Sequence, residues 1–360
     1  MADIVADVLD FIAEPEGKDF NALALAVFAH QFERNAPYRR FCAARDVSPA
    51  KLSRWQDIPA VPTVAFKELD LSCGPPQKIF RTSGTTRGQD KRGRHLVPDL
   101  ALYHASALAH FDRCVLPDAR RLRVLALIPS PATRPDSSLS QMADWIIAER
   151  GGPGSQFLID HTGMRLDAFG AALDQAQTEG SPVCILAITA GLVAFFDWCA
   201  AHQTAFELPG GSRVMDTGGD KGQGRVLSRN GFFQSCWKYL KIAGYYCVNE
   251  YGMTEMASQF YDNVLDSRFW RSNEPRYKIG PAWTRSLVVD PETLREVPPG
   301  QPGILRHFDL ANCGSVMAVQ TDDVGYLTGD GFEIRGRAPG AEARGCALAL
   351  DEFLAAAQNS

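Results

Sequence analysis

Apolar positions over the first 60 residues recur at helical spacing, with Leu23, Leu25, Val27, Phe28 and Phe32 as the clearest run. The spacing predicts a helical lead-in over 1–60. Ala60-Val61-Pro62-Thr63 breaks it. From about 78 to 250 the pattern changes to short apolar runs alternating with amphipathic stretches. The runs at 121–129, 183–189, 212–215 and 244–248 predict strands, and the stretches at 99–114, 138–150, 164–178, 190–203 and 226–242 predict helices. That alternation predicts an α/β core with a largely parallel sheet covered by helices. Between 275 and 336 the runs at 283–289, 303–308, 316–320 and 331–335 are shorter and richer in Gly, Pro and Val, and predict a β-rich subdomain. The expected organisation is one domain over 1–337, made of the lead-in, the 78–250 core and the 275–336 subdomain. A short tail over 338–360 carries Cys346.

Composition narrows the class. The chain has 360 residues, 45% of them hydrophobic and 22% charged, with 37 Lys and Arg against 42 Asp and Glu and a net charge of −5. That is ample apolar surface for a core, so global disorder is excluded. A mildly acidic chain without a Lys/Arg run points away from nucleic acid. The longest apolar run, 183–196, is 14 residues, short of the roughly 20 that cross a bilayer, so no membrane span is expected. Asp3, Asp7, Asp10 and Glu14 crowd the N-terminus, where a secretory signal needs a basic start. Nine cysteines without a CxxC pair or zinc spacing argue against a disulfide framework, and reduced thiols fit the cytoplasm. The P-loop, the nucleophile elbow and the HExxH helix are all absent.

Four segments carry candidate chemistry. Thr82-Ser83-Gly84-Thr85-Thr86-Arg87-Gly88 follows a short strand candidate and can turn successive N–H groups and hydroxyls toward one anion, with Arg87, Lys91 and Arg92 nearby. It can equally be a plain surface turn. Asp216-Thr217-Gly218-Gly219-Asp220-Lys221-Gly222 follows another strand, and paired glycines there let backbone approach a flat ligand. The bland alternative is a tight turn. Asn249-Glu250-Tyr251-Gly252-Met253-Thr254-Glu255 sets an aromatic face, a hydroxyl and a carboxylate close together. Such a ring can stack on a base and such a carboxylate can hold Mg²⁺ through oxygen, although Tyr251 can also be core. In Thr321-Asp322-Asp323-Val324-Gly325-Tyr326, with Arg337 14 residues beyond Asp323, a carboxylate can accept both hydroxyls of a ribose.

In order and spacing these segments resemble the adenylate-forming superfamily of acyl-CoA ligases, peptide-synthetase adenylation domains and luciferase, over roughly 80–337. Thr82, Ser83, Gly84, Thr85, Thr86 and Gly88 match its phosphate loop. Gly218 and Gly219 match its adenine-side glycine pair, and Tyr251, Gly252, Thr254 and Glu255 its YGxTE motif. Asp323, Tyr326 and Arg337 match its ribose Asp, following aromatic and Arg. Arg87 stands where that loop has Gly. The superfamily's lid domain, with its catalytic Lys, would be missing or reduced to the short tail.

A narrower resemblance is to LuxE-type acyl-protein synthetases, carried by the short chain, the DTGGxKG loop and the tail Gly340-Ala341-Glu342-Ala343-Arg344-Gly345-Cys346. It implies an enzyme that uses ATP and Mg²⁺ to activate a carboxylic acid, by the resemblance a fatty acid, as an acyl-adenylate. The acyl group then passes to Cys346 as a thioester, for an acyl-CoA-reductase-type protein partner. Tyr251 would stack on adenine, Asp323 and Arg337 would serve the ribose side, and Glu255 would hold the metal. Thr254 would contact the α-phosphate, and Lys221 is the candidate for the cation that the lid would otherwise supply. A lone cysteine such as Cys346 can equally be a small buried hydrophobe. Two other readings stay open: an acyl- or aryl-CoA ligase of the same superfamily, and a non-catalytic acyl- or nucleotide-binding partner.

Overall fold

The structure is a computed structural model that describes residues 3–82, 92–218, 227–266 and 274–337. The chain divides into two compact units. One takes Met1–Ala109, Met253–Gln259 and Tyr277–Ser360; the other takes His110–Gly252 and Phe260–Arg276. The fold class is mixed α/β with a mostly parallel sheet in the second unit.

In that second unit five parallel strands lie in the order Cys247–Tyr251, Arg213–Thr217, Val183–Ile188, Arg123–Pro129 and Gln156–Asp160. Phe260–Asp262 adds antiparallel at one edge and Gly163–Met164 at the other. Val183 through Ala187 have no exposed surface, as expected of an unbroken apolar run covered on both faces. The crossovers are the helices Ser138–Arg150, Leu166–Glu179, Thr189–Ala201 and Arg229–Leu240. Phe169, Phe195, Phe196, Phe206 and Phe232 come together in one core cluster, each burial worth about 1.5–3 kcal/mol. Helix boundaries follow local chemistry. The side chains of Ser137 and Ser228 accept the N–H groups of Ser140 and Gly231. Gly180, at φ 63°, closes the Leu166–Glu179 helix in the left-handed region. Successive strands first add on one side of Arg123–Pro129 and then on the other. This reversal is where open α/β sheets present ligand sites beyond their carboxyl ends.

The predicted strand at 244–248 shifts. Gly244–Tyr246 is a 3-10 turn and the strand is Cys247–Tyr251. The Gly244 carbonyl accepts the Arg276 guanidinium at 2.7 Å, so it is engaged by a side chain instead of a strand neighbour. The predicted strand at 183–189 stops at Ile188, because Thr189 opens the next helix.

The first unit begins with the helices Ile4–Ala13, Phe20–Arg34 and Ala36–Ala44, whose N-termini are capped by Asp3, Asp19 and Asn35. Its antiparallel sheet runs in the order Thr284–Val289, Gly303–Asp309, Ala318–Thr328, Gly331–Arg337 and Lys278–Ile279. The Val61–Pro62 segment that breaks the helical pattern pairs in parallel with Val319 and Gln320. Gln31 ties helix to sheet: its Nε2 donates to the carbonyls of Asn312 and Cys313, and its Oε1 accepts the Met317 N–H. A hairpin of Lys78–Arg81 and Arg94–Val97 completes the unit. Among the described residues no helix is long and apolar enough to cross a membrane.

Candidate active site

Three of the residues singled out from sequence, Glu255, Asp323 and Arg337, line one cavity of about 80 Å³ in the first unit, together with Thr63, Met253, Thr321 and Asp322. Asp323 and Arg337 are directly paired across the Ala318–Thr328 and Gly331–Arg337 strands. The Arg337 Nε lies 3.7 Å from Asp323 Oδ1. Arg337 is largely exposed, so this pair contributes little to stability and both groups stay accessible to a ligand. The Thr321 hydroxyl accepts the Asp323 N–H at 3.0 Å and holds the backbone of that turn of strand. Thr321 opens the segment that carries Asp323, whereas Thr63 has no signal of its own and is brought here by the Val61–Pro62 pairing, which the sequence marks only as a break.

Glu255 is buried. The backbone around it is gripped from three directions. His95 Nδ1 lies 2.7 Å from the Thr254 carbonyl, so the ring donates from Nδ1. The Asn312 amide donates to the Glu255 carbonyl at 2.9 Å. Asp309 accepts the Ala257 N–H at 3.0 Å and the Ser258 hydroxyl at 2.6 Å. Burial pulls the His95 pKa down to about 4 and pushes the Asp309 carboxyl up to about 6. Among the described residues no group of three or more His, Cys, Asp or Glu forms a ready metal cage. A single buried carboxylate with two acidic neighbours fits Mg²⁺, which keeps waters and takes phosphate oxygens around one or two carboxylates.

Thr82 sits at the base of the Lys78–Arg81/Arg94–Val97 hairpin. Its hydroxyl accepts the Gly93 N–H at 2.9 Å, and its carbonyl accepts Arg92 Nε at 2.7 Å. Ser83, Gly84, Thr85, Thr86 and Gly88 lie outside the described residues, as do Gly219, Lys221 and Cys346.

In the second unit, Gly218 follows the Arg213–Thr217 strand with φ +86°, a conformation that L side chains rarely adopt. Just before it, Asp216 is fully buried. Its Oδ2 accepts from Thr189 at 2.9 Å, Arg229 at 2.7 Å and the Asn249 amide at 2.9 Å. The Thr217 hydroxyl donates to the buried Glu250 carboxylate. Tyr251 ends the Cys247–Tyr251 strand half-buried, its ring 5.9 Å from that of Phe260, and Gly252 beside it is exposed.

The described cysteines are poor nucleophiles where a shift is resolved. Burial pushes the thiols of Cys42, Cys73 and Cys184 up to about 12, along with that of Cys199, and also raises those of Cys236 and Cys313.

Residues 157–355 match the family model described as acyl-protein synthetase, LuxE. The chain belongs to the LuxE acyl-protein synthetase family. The stretch that carries the LuxE match includes Lys221, Thr254, Glu255, Asp323, Arg337 and Cys346, and begins after residues 82–88. Two curated relatives, both named long-chain-fatty-acid–luciferin-component ligase, align along nearly the whole chain. The one from Aliivibrio fischeri is 23% identical over 96% of this chain and 93% of its own. The one from Vibrio harveyi is 21% identical over 93% and 88%. The fold of this LuxE-family chain is similar to that of a 2-hydroxyisobutyryl-CoA ligase solved with its acyl-adenylate and CoA. The TM-score is 0.61 at 15% identity, over 88% of this chain and 74% of the ligase.

Proposed function

We propose that the chain activates a fatty acid with ATP as an acyl-adenylate and passes the acyl group to Cys346 as a thioester. The observation that carries this reading is the convergence of Glu255, Asp323 and Arg337, from distant stretches of sequence, on one cavity. Family membership supports acyl-protein synthesis as the outcome.

A carboxylate is a poor acyl donor because its leaving group would be oxide. In the first step a carboxylate oxygen of the acid attacks the α-phosphorus of ATP, the bond to the bridging oxygen breaks, and pyrophosphate leaves. Asp323 accepts the ribose hydroxyls, and Arg337 on the neighbouring strand adds a positive charge at that end of the cavity. By the superfamily resemblance, Tyr251, Gly218 and Gly219 would serve the adenine and Thr254 the α-phosphate. The residues 82–88 surround the outer phosphates, and Lys221 supplies a cation to the α-phosphate. Glu255 would hold Mg²⁺, which supplies charge neutralisation on the phosphates when bound. The protein's contribution is positioning and electrostatics.

In the second step the Cys346 thiolate attacks the acyl carbon and the bond to the AMP oxygen breaks. AMP leaves with the electron pair, and the thiol's proton has already passed to solvent. Arg344, two residues earlier, favours the thiolate. The domain over 1–337 would carry the first step and the tail over 338–360 the acceptor. A reductase-type partner then consumes the thioester.

The test is incubation with ATP, Mg²⁺ and a labelled fatty acid. A hydroxylamine-labile label on the protein supports the reading. A label that appears only on added CoA turns the assignment to an acyl-CoA ligase. Absence of both fatty-acid-dependent pyrophosphate exchange and label overturns the enzyme reading.

A further inference from the structure

The grip on the Thr254–Ser258 backbone calls for an explanation beyond packing. His95, Asn312 and Asp309 come from two separate stretches of the first unit. His95 stands on Arg94–Val97, the strand that follows residues 83–91. Asp309 ends the Gly303–Asp309 strand, and Asn312 closes the 3-10 turn Leu310–Asn312 directly after it. They engage the carbonyls of Thr254 and Glu255, the N–H of Ala257 and the hydroxyl of Ser258. Those groups surround the one buried carboxylate of the cavity.

Each gripping side chain is itself fixed. The His95 ring packs edge-on to Phe66 with centroids 6.0 Å apart. The Asn312 amide also donates to the Val316 carbonyl at 2.7 Å. Asp309 accepts the Ala311 N–H at 3.1 Å, and the Ser258 hydroxyl that it holds lies 3.0 Å from Trp283 Nε1. A side chain locked by its own neighbours can fix what it binds to within a fraction of an ångström, which is what a metal ligand requires of its support.

We propose that His95, Asn312 and Asp309 are positioning residues that hold Glu255 at the cavity for Mg²⁺, and that the His95–Thr254 hydrogen bond ties the Arg94–Val97 strand to the segment that carries Glu255. The inference rests on the proposed role of Glu255 and adds its support to that reading. It gives His95 a function that its sequence position does not suggest. A buried histidine that meets one carbonyl and the Asn312 side chain is otherwise an ordinary core residue. The two interpretations differ in what they require of the ring. Packing requires its volume, whereas positioning requires an N–H at the Nδ1 location.

That difference selects the variants. The amide nitrogen of Asn can occupy the Nδ1 location, and that of Gln reaches toward the Nε2 location. His95→Asn should therefore keep the bond to Thr254 and His95→Gln should lose it. Asn312→Asp removes the donor to the Glu255 carbonyl at nearly constant shape. The control is Ser106→Ala, which removes two hydrogen bonds from the same buried network, with Ser258 and with Trp283, and touches neither Thr254 nor Glu255.

The experiment is a Mg²⁺ titration of each protein with α,β-methylene ATP, followed calorimetrically, alongside melting temperatures. His95→Gln and Asn312→Asp are expected to weaken the apparent Mg²⁺ affinity by about 10–100-fold. His95→Asn should restore it to within a few-fold of the starting protein, and Ser106→Ala should lower the melting temperature without moving it. Equal Mg²⁺ affinity in His95→Gln and His95→Asn, whatever their melting temperatures, overturns the proposal. So does a loss in Ser106→Ala as large as in Asn312→Asp. If the starting protein binds the nucleotide with no dependence on Mg²⁺, the assignment of Glu255 itself fails, and that outcome is separate from the other two.

Discussion

Asp323 and Arg337 face each other as a register pair on neighbouring antiparallel strands, with guanidinium and carboxylate 3.7 Å apart. Their separation in sequence is a hairpin's length, so the spacing read from the chain is the geometry of a strand turning back on itself. If Asp323 holds the ribose, Asp323→Ala removes two charge-assisted hydrogen bonds worth about 1.5–3 kcal/mol each. ATP affinity should fall accordingly while the melting temperature stays near its starting value, since the Arg337 partner is largely exposed and the ion pair long. Unchanged affinity in a folded variant would remove Asp323 from the ribose site.

Glu255→Gln keeps shape and burial but removes the charge. The variant should fold and lose most fatty-acid-dependent pyrophosphate exchange, because several kcal/mol of phosphate charge stabilisation goes with the metal. Exchange at the starting rate would show that Glu255 is not the metal ligand.

Cys346→Ser should still form acyl-adenylate but should not accumulate a hydroxylamine-labile acyl group, because a hydroxyl ionises far less readily than a thiol. A labelled serine variant would point to another acceptor.

Gly218 sits at φ +86°. A residue with a Cβ there costs about 1–2 kcal/mol, although the nearest side-chain atom to such a Cβ, Ile188 Cγ2, is 3.9 Å away and leaves room. Gly218→Ala should therefore lower chemical-denaturation stability by that amount through backbone strain alone. A neutral substitution would mean the local backbone relaxes freely.

Acid should act through buried groups of opposite sign. Burial depresses His95 to about 4 and His307 to about 3, whereas in the unfolded chain both take up protons near 6.5. Protons thus bind the unfolded state preferentially, and stability is lost as pH falls below 6.5. Asp309, raised to about 6, works the other way: the folded state takes its proton first, which stabilises it as pH falls through 6. Melting temperatures measured from pH 7 to 4 should fall, and Asp309→Asn, which lacks the opposing group, should fall more steeply below pH 6. Parallel curves would contradict this balance.

Much of the second unit was legible because its strands are apolar on both faces. The run at 183–189 reads as a covered strand and the stretch at 190–203 as its helix, which in the structure opens one residue earlier, at Thr189. Phe260–Asp262 was not legible, since three residues carry no period. The motif residues Glu255, Asp323 and Arg337 could be chosen from local sequence, but their meeting in one cavity could not. It depends on strand pairings between distant stretches. His95 and Asn312 left no signal at all. Each acts on a backbone carbonyl, and a carbonyl is the same in every residue, so no residue type at 254 or 255 reveals that its backbone is held from 95 or 312.

Asp216 and Arg229 meet in a 2.7 Å ion pair, one at the end of a strand and the other at the start of a helix. Everything between them, residues 217–228, is bracketed by that contact. The pair thus adds to the Ser228 cap in seating the start of the helix against the strand end. For a flexible connection, doubling its length adds only about 0.6 kcal/mol of closure cost. The connection can thus change length at little cost to the scaffold, provided Asp216 and Arg229 are kept, as long as Gly218, Gly219 and Lys221 keep their proposed roles.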